Sequence, residues 1–462
     1  MAVIASFKQR WSTPWGYRDV LRVGLPLIAG MFSSTVMLFT DRLFLSHYSV
    51  TAIAAALPSS MAAMALQLPL MGLCSYVSVF IAHYVGAGRR KDVGVALWQG
   101  IWMGLAAAMI LAFTCPLAEP LFAWTDHPPA IMVEEVIYFR ILILGSVFFL
   151  LSAVVSGFFI GLGHTRPVLV ANLLGAVLNV PLDYALIFGK WGLPELGIAG
   201  AGYATVIGWA FSTLILGMGI FTRNNDRHFH VFRAWRFRSE LFLRLLRFGL
   251  PSGANLFMEV AGFAWFTLEV GRLGETALAA SNIALSVNTL VFMPMLGMNQ
   301  AVASLVGQAM GRGNPDEAET ATYSALHIAL LYMLPLALLF FIYAGPLMDI
   351  FRPGDPGVDY ASIRATGIFL IWYIAVYSLV DACNIVFLGA LKGAGDTFFV
   401  MLILGGTGLL VLVAPILVLK YFGYAQLHPL WIVLTLYVMA MALCAFLRFR
   451  HGRWQKIRLV GN

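Results

Sequence analysis

Twelve runs of about twenty or more apolar residues follow one another along this chain of 462 residues. Their approximate limits are 20–45, 51–78, 93–117, 133–159, 167–188, 198–221, 246–271, 277–305, 318–344, 361–389, 398–420 and 428–447. A helix needs about 20 apolar residues to cross the hydrocarbon layer of a bilayer. Inside lipid only helices or closed barrels satisfy every backbone polar group. Runs of this length and number therefore predict an all-α membrane protein of twelve transmembrane helices joined by short connectors. The exception is 222–245, a basic loop or surface helix carrying Arg223, Arg227, Arg233, Arg236, Arg238 and Arg244. Composition agrees, with 60% apolar and 11% charged residues and a mean hydropathy of +0.85. Soluble domains carry about 25% charged residues. The N-terminus, with Lys8, Arg10, Arg18 and Arg22, runs straight into the first apolar helix, so no separate secretory signal is expected. Cys74, Cys115, Cys383 and Cys444 each stand alone in apolar sequence and read as small hydrophobes rather than metal ligands or disulfide partners.

Basic residues set the expected orientation. With both termini in the cytoplasm, 22 of the 29 Lys and Arg residues fall at cytoplasmic ends and loops. The remaining seven are Arg42, Arg140, Lys190, Arg272, Arg352, Arg364 and Lys420. Acids lean the other way, with Glu119, Asp126, Glu134, Glu135, Glu195, Asp349, Asp355 and Asp359 outside. The positive-inside rule then places both termini in the cytoplasm. That asymmetry accounts for the sequence pI near 9.3, and no nucleic-acid partner is expected.

The two halves repeat. Arg22-Val-Gly-Leu-Pro26 matches Arg247-Phe-Gly-Leu-Pro251 at an offset of 225. The same offset aligns Pro69-Leu-Met-Gly72 with Pro294-Met-Leu-Gly297, and Gly86-Ala-Gly88 with Gly311-Arg-Gly313. At an offset of 232, Gly161-Leu-Gly-His-Thr165 resembles Gly393-Ala-Gly-Asp-Thr397. Six helices per half leave both halves in one orientation, which predicts two bundles related by a parallel pseudo-two-fold with a cleft between them. The expected divisions are an N-lobe over 1–221, the inter-lobe loop over 222–245, and a C-lobe with a basic tail over 246–462.

Against this shared scaffold the intramembrane acids stand out. Glu259 lies about twelve residues from either basic end of its apolar run, where a carboxylate costs roughly 3 kcal/mol on insertion scales. Asn255 precedes it by one turn on the same face. Asp381 has Tyr377 one turn before it and Asn384 three residues after it. In the first half Asn179 and Asp183 are spaced i, i+4, and Asp41 and Thr205 on neighbouring helices are positioned to join them. The repeat maps Asp41 onto Phe266, Glu259 onto Ser34 and Asp381 onto Phe149, so each acid occurs once. Acids absent from the duplicate copy read as site chemistry rather than fold maintenance. Oxygen ligands of this kind suit a hard monovalent cation, and two carboxylates held close favour taking up a proton. The competing reading is a polar network that only fixes helix packing.

These features together resemble the multidrug and toxic compound extrusion (MATE) transporters, and within them the NorM-like branch. The resemblance runs over essentially the whole chain. It is carried by Leu25-Pro26, Thr40-Asp41, Gly86-Ala-Gly-Arg-Arg90, Asn179-Val-Pro-Leu-Asp183, Phe257-Met-Glu259, Val380-Asp381 and Leu391-Lys-Gly-Ala-Gly-Asp396. It implies efflux of amphipathic, usually cationic compounds driven by inward Na⁺ or H⁺, with no other cofactor. By position, Glu259 and Asp381 match the acidic pair of the C-lobe cation site, with Tyr377 an aromatic beside it. Asp41, Asn179, Asp183 and Thr205 match the N-lobe network for proton or sodium, and Pro26 matches a proline at which the first helix bends in some members. Arg42 departs from the pattern, because a guanidinium paired with Asp41 would hold that acid ionised.

A drug-binding surface is less legible. Met258, Phe263, Phe266, Met293 and Met295 are candidates, since flexible Met and aromatic faces suit promiscuous apolar or cationic ligands. The expected protein is a monomer of the bacterial inner membrane whose partners are small molecules and membrane lipids. Three other readings are open. A lipid-linked oligosaccharide flippase would require basic rather than acidic mid-span residues. A channel or receptor fits poorly with duplicated bundles. An intramembrane enzyme would need a nucleophile–base pair or metal set, and the chain holds no HExxH or GxSxG motif, with His83, His164 and His327 isolated.

Overall fold

Twelve long helices follow one another in the computed structural model, which describes residues 10–125, 127–352 and 360–460. They are α1 Tyr17–Tyr48, α2 Val50–Gly86, α3 Arg90–Ala123, α4 Pro129–Gly161, α5 Arg166–Phe188, α6 Ile198–Ile220, α7 Ser239–Gly271, α8 Glu275–Gly311, α9 Pro315–Asp349, α10 Tyr360–Ala394, α11 Thr397–Tyr421 and α12 Leu427–Arg450. No strand occurs among the described residues. Ten of these helices are long and apolar enough to span a membrane on their own, and α8 joins them when its two bent halves count as one span. The exception, α7, is 33 residues long, but Asn255, Glu259 and Glu269 dilute its apolar run. Lys8, Asp126, Asp355 and Asp359, which entered the charge argument, lie outside the described residues.

Local sequence explains where the helices start, stop and bend. Ser49 caps α2, accepting from Thr51 N–H at 3.2 Å, and Asn314 caps α9, accepting from Glu317 N–H at 3.4 Å with Pro315 in the first turn. Such side-chain oxygens satisfy amides that have no partner inside the helix. Gly189 closes α5 with a left-handed φ of 64°, which costs a glycine little. α8 bends by 41° between Thr289 and Val291. Pro294 lies four residues beyond Leu290, where its ring meets the preceding turn's carbonyl. In α9 the break is at Tyr343, three residues before Pro346. In α11 a π-helical turn, Gly408–Val413, widens the helix just ahead of Pro415. α1, by contrast, runs without interruption through Pro26.

The helices group into two compact units. One comprises 25–254, 311–313 and 459–460. The other comprises 10–24, 255–310 and 314–458. Each unit therefore includes the opening turns of the other half's first helix, 239–254 of α7 in one and 17–24 of α1 in the other. In the second unit Tyr17 OH hydrogen-bonds His327 Nδ1 at 2.8 Å, and a side chain at Gly24 would meet Met298 and Ala301. In the first, a side chain at Gly249 would meet Leu73. Gly24 pairs with Gly249 and Leu73 with Met298 at the 225 offset, so the sequence repeat makes one contact twice. α7 crosses α2 closely at Gly253, where a Cβ would lie 2.1 Å from Pro69 O. With Gly249 it forms a Gly-x-x-x-Gly face, the pattern that lets membrane helices approach closely. Gln67 ties α2 to α4 by donating to Leu142 O at 3.1 Å and to Ser146 Oγ at 2.7 Å.

Burial separates core helices from lipid-facing ones. In α10, 72% of the apolar span is buried, against 28% in α9 and 22% in α11. The exposed side chains along the middle of α9 and α11, among them Leu338, Phe341, Ile342, Leu409, Leu410 and Leu417, are apolar, which hydrocarbon accepts without cost.

Candidate functional site

The first polar cluster lies in the unit built on 25–254. α1 delivers Asp41, α5 delivers Asn179 and Asp183, and α6 delivers Thr205, and all four are at most 4% exposed. The i, i+4 spacing on α5 puts Asn179 and Asp183 on one face. Thr205 Oγ1 donates to Asp41 Oδ2 at 2.9 Å. Asp183 and Asn179 lie beside the same carboxyl group, close enough to interact with it. Asp41 Oδ1, both Asp183 oxygens and both Asn179 amide atoms are buried with no hydrogen-bond partner among the described residues. Tyr138 of α4, 5% exposed, completes the surroundings within electrostatic reach of both acids. Arg42 is exposed and forms no ion pair with Asp41 among the described residues, although it lies within electrostatic reach of that acid.

The second cluster lies in the unit holding 255–310 and 314–458. α7 supplies Asn255 and Glu259, and α10 supplies Tyr377, Asp381 and Asn384. Asp381 Oδ1 accepts from Asn384 Nδ2 at 3.3 Å. Glu259 and Asp381 are within electrostatic reach of each other, and both are within reach of Tyr437 on α12. The two carboxylates are half-buried, whereas Asn255, Tyr377, Asn384 and Tyr437 are buried. Both amide atoms of Asn255, the Tyr377 hydroxyl and Asn384 Oδ1 lack a hydrogen-bond partner among the described residues. Leaving one such group unpaired costs about 1–3 kcal/mol. Several together in one small region are unusual in a native interior and call for an explanation.

Three of these neighbours are invisible to a search for mid-span acids. Tyr138 carries no local signal. Tyr437 sits at the 232 offset from Thr205, so the repeat itself pointed to it. Lys392, in the last turn of α10, is half-buried and within electrostatic reach of Glu259. Its place in the Leu391-Lys-Gly run marked it as motif but not as a neighbour of the acid.

The substrate candidates divide by packing. Phe266 is fully buried, edge-on to Trp431 with ring centroids 5.7 Å apart, and Met295 is 1% exposed. Met258, Phe263 and Met293 are partly exposed. Met258 points its sulfur toward Gly405 of α11, where a Cβ would stand 3.2 Å away. Pro26 is half-buried.

Residues 26–185 and 251–417 match the MatE family, once in each half of the chain. The chain belongs to the MatE family. It is 28% identical over 95% of its length to a probable multidrug resistance protein NorM of Thermotoga maritima, covering 93% of that protein. It is also 28% identical to the multidrug resistance protein PmpM of Pseudomonas aeruginosa, over 83% of this chain and 80% of that one. Among solved structures it resembles an outward-facing multidrug resistance MATE family transporter of the MOP superfamily, with a TM-score of 0.85, 21% identity and coverage of 96% and 97% of the two chains. The MatE fold, twelve helices in two bundles, is therefore the fold of this chain.

Proposed function

We propose that this MatE protein is a secondary antiporter of the bacterial inner membrane that exports amphipathic, cationic compounds in exchange for Na⁺ or H⁺. The observation that carries the reading is the meeting of Glu259 and Asp381 in one unit, amid buried amide and phenol atoms several of which have no hydrogen-bond partner among the described residues. Such a group of oxygens serves a monovalent cation or a proton, whose arrival offsets charge that the hydrocarbon layer penalises. The names of the relatives support drug efflux, and the acidic character of both clusters argues against an anionic cargo such as a lipid-linked oligosaccharide.

In this mechanism the ion enters from outside and neutralises Glu259 and Asp381, favouring the conformation that has released its drug. Drug taken from the cytoplasm or inner leaflet favours the opposite one. Coupling is the free energy by which each ligand disfavours the other's preferred state. Asp41, Asn179, Asp183 and Thr205 serve as a second proton or sodium site. Met258, Phe263 and Met293 contact the drug. Both termini face the cytoplasm, the lobes divide at the basic loop over 222–245, and the protein works as a monomer. Drug efflux from vesicles with the sodium and proton gradients imposed separately tests the reading. One gradient is expected to drive export; export that neither gradient affects would refute antiport.

A further inference from the structure

Outside the two polar clusters, the most heavily built feature of the first unit is the segment between α6 and α7. From residue 222 to 247 it carries seven arginines against two acids, Asp226 and Glu240. Charge alone would require only a solvated tether at the edge of the membrane. The segment is instead clamped. Trp98 Nε1 donates to Val231 O at 2.6 Å, Trp102 Nε1 to Trp235 O at 3.0 Å, and Gln99 Nε2 to Arg236 O at 3.1 Å. Arg238 N–H donates back to Gln99 Oε1 at 3.0 Å, and Phe232 N–H to Asp226 Oδ1 at 2.9 Å. Neighbouring turns of α3 thus hold the backbone of 231–238 in one course. Gly94, one turn earlier on α3, makes the approach possible, since a Cβ there would fall 2.2 Å from Phe229 O.

What the clamped backbone presents outward alternates. Phe232, Trp235 and Phe237 are 50%, 56% and 57% exposed, and Arg233, Arg236 and Arg238, each next to one of them, are exposed as well. Phe232 packs beside Phe221 and Phe237 beside Phe242, with ring centroids 5.8 and 5.0 Å apart, yet all three rings keep half or more of their surface exposed. At the edge of a bilayer the same set is favoured: aromatic rings settle at the headgroup level, and guanidinium groups bind phosphate through two parallel hydrogen bonds. The segment joins α6, long and apolar enough to span a membrane, to α7, whose apolar run over 246–271 reads as the next span, which puts it at that level.

We propose that residues 231–238 are a docking site for the headgroup of an anionic phospholipid, with Arg233, Arg236 and Arg238 on its phosphate and the three rings seated between headgroup and acyl chain. The proposal rests on the membrane-spanning reading of α6 and α7 and not on the transported compound.

The test uses full-length protein in phosphatidylcholine nanodiscs containing a small fraction of spin-labelled phosphatidylglycerol or, separately, spin-labelled phosphatidylcholine. Electron spin resonance reads the immobilised fraction of each label. Each arginine near an anionic lipid contributes up to about five-fold in affinity at low salt. The wild type is therefore expected to favour phosphatidylglycerol by about ten-fold or more, and the Arg233→Gln, Arg236→Gln, Arg238→Gln triple variant to lose most of that preference. Trp98→Phe with Gln99→Ala keeps every arginine but releases the clamp, and it is expected to lower the preference too. An unchanged preference in the triple variant overturns the proposal. If the triple variant does not fold, each single Arg→Gln variant is expected to reduce the preference, and three unchanged singles overturn it equally. Loss of the wild-type preference on adding millimolar inorganic phosphate would assign the site to a free anion and overturn the lipid reading. Nanodiscs show the same lipid to both faces and no drug is transported, so an error in orientation or in the efflux reading leaves this result intact.

Discussion

Replacing Asp381 with asparagine removes a charge and little else. The side chains are nearly isosteric, and the amide oxygen still accepts from Asn384, whose present bond to Asp381 is 3.3 Å long. Asp381 is half-buried, so the effective dielectric lies between that of water and that of a dry interior. A cation held at about 4 Å in an effective dielectric near 20 gains ~4 kcal/mol from one carboxylate. The amide dipole retains part of that attraction, leaving a loss of about 2–4 kcal/mol, or roughly thirty- to a thousand-fold in ion affinity. At ordinary ion concentrations such a loss uncouples transport. The assay is ion-driven efflux of a fluorescent cationic drug from everted vesicles, with size-exclusion chromatography of the same protein in detergent. Asp381→Asn and Glu259→Gln are each expected to elute as the wild type does and to lose gradient-driven efflux. The double variant should be no worse than either single, because one shared ion is already lost. Wild-type efflux from both single variants would refute the assignment of the cation to this pair.

Two further outcomes follow from geometry. Gly253→Ala places a methyl group 2.1 Å from Pro69 O, and backbone cannot yield as a side-chain tip does. A loss of about 1–3 kcal/mol is expected, read as a lower unfolding temperature in detergent, and an unchanged temperature would contradict the close crossing. Thr205→Val keeps shape but removes the donor to Asp41, a bond of 2.9 Å that is charge-assisted whenever the acid is ionised. It is expected to cost about 1.5–3 kcal/mol, seen as lower thermal stability or a shifted pH dependence of efflux, and no change in either would make the contact incidental.

Much of this was legible in the residues. Length and apolarity determined the helices, because lipid leaves a backbone no alternative to internal hydrogen bonds. Duplication was written in the fixed offset between Arg22-Val-Gly-Leu-Pro26 and Arg247-Phe-Gly-Leu-Pro251. The acids were conspicuous because a charge in mid-span has so few physical reasons to be there. Bends near Pro294 and Pro346 follow from a missing donor and a ring clash, yet Pro26 lies in an unbroken helix, so proline identity alone did not decide which helices bend.

Other facts were decided only when the chain packed. Sequence spacing reports which side chains share a helix face, but not which faces meet. The Gly-x-x-x-Gly pair at 249 and 253 was visible, while its partner at Pro69 and Leu73 was not. Phe266 and Phe263 read alike in sequence, and the fold sealed the first against Trp431 and left the second partly exposed. Arg42 adjoins Asp41 in the chain, but adjacent helical residues diverge by about 100°, and Thr205 rather than Arg42 reached the carboxylate. The basic loop read as topology alone until three α3 side chains were seen to hold it in place. Local chemistry specifies an element and its polar face, whereas the identity of a neighbour depends on contacts closed over hundreds of residues, which no local spacing encodes.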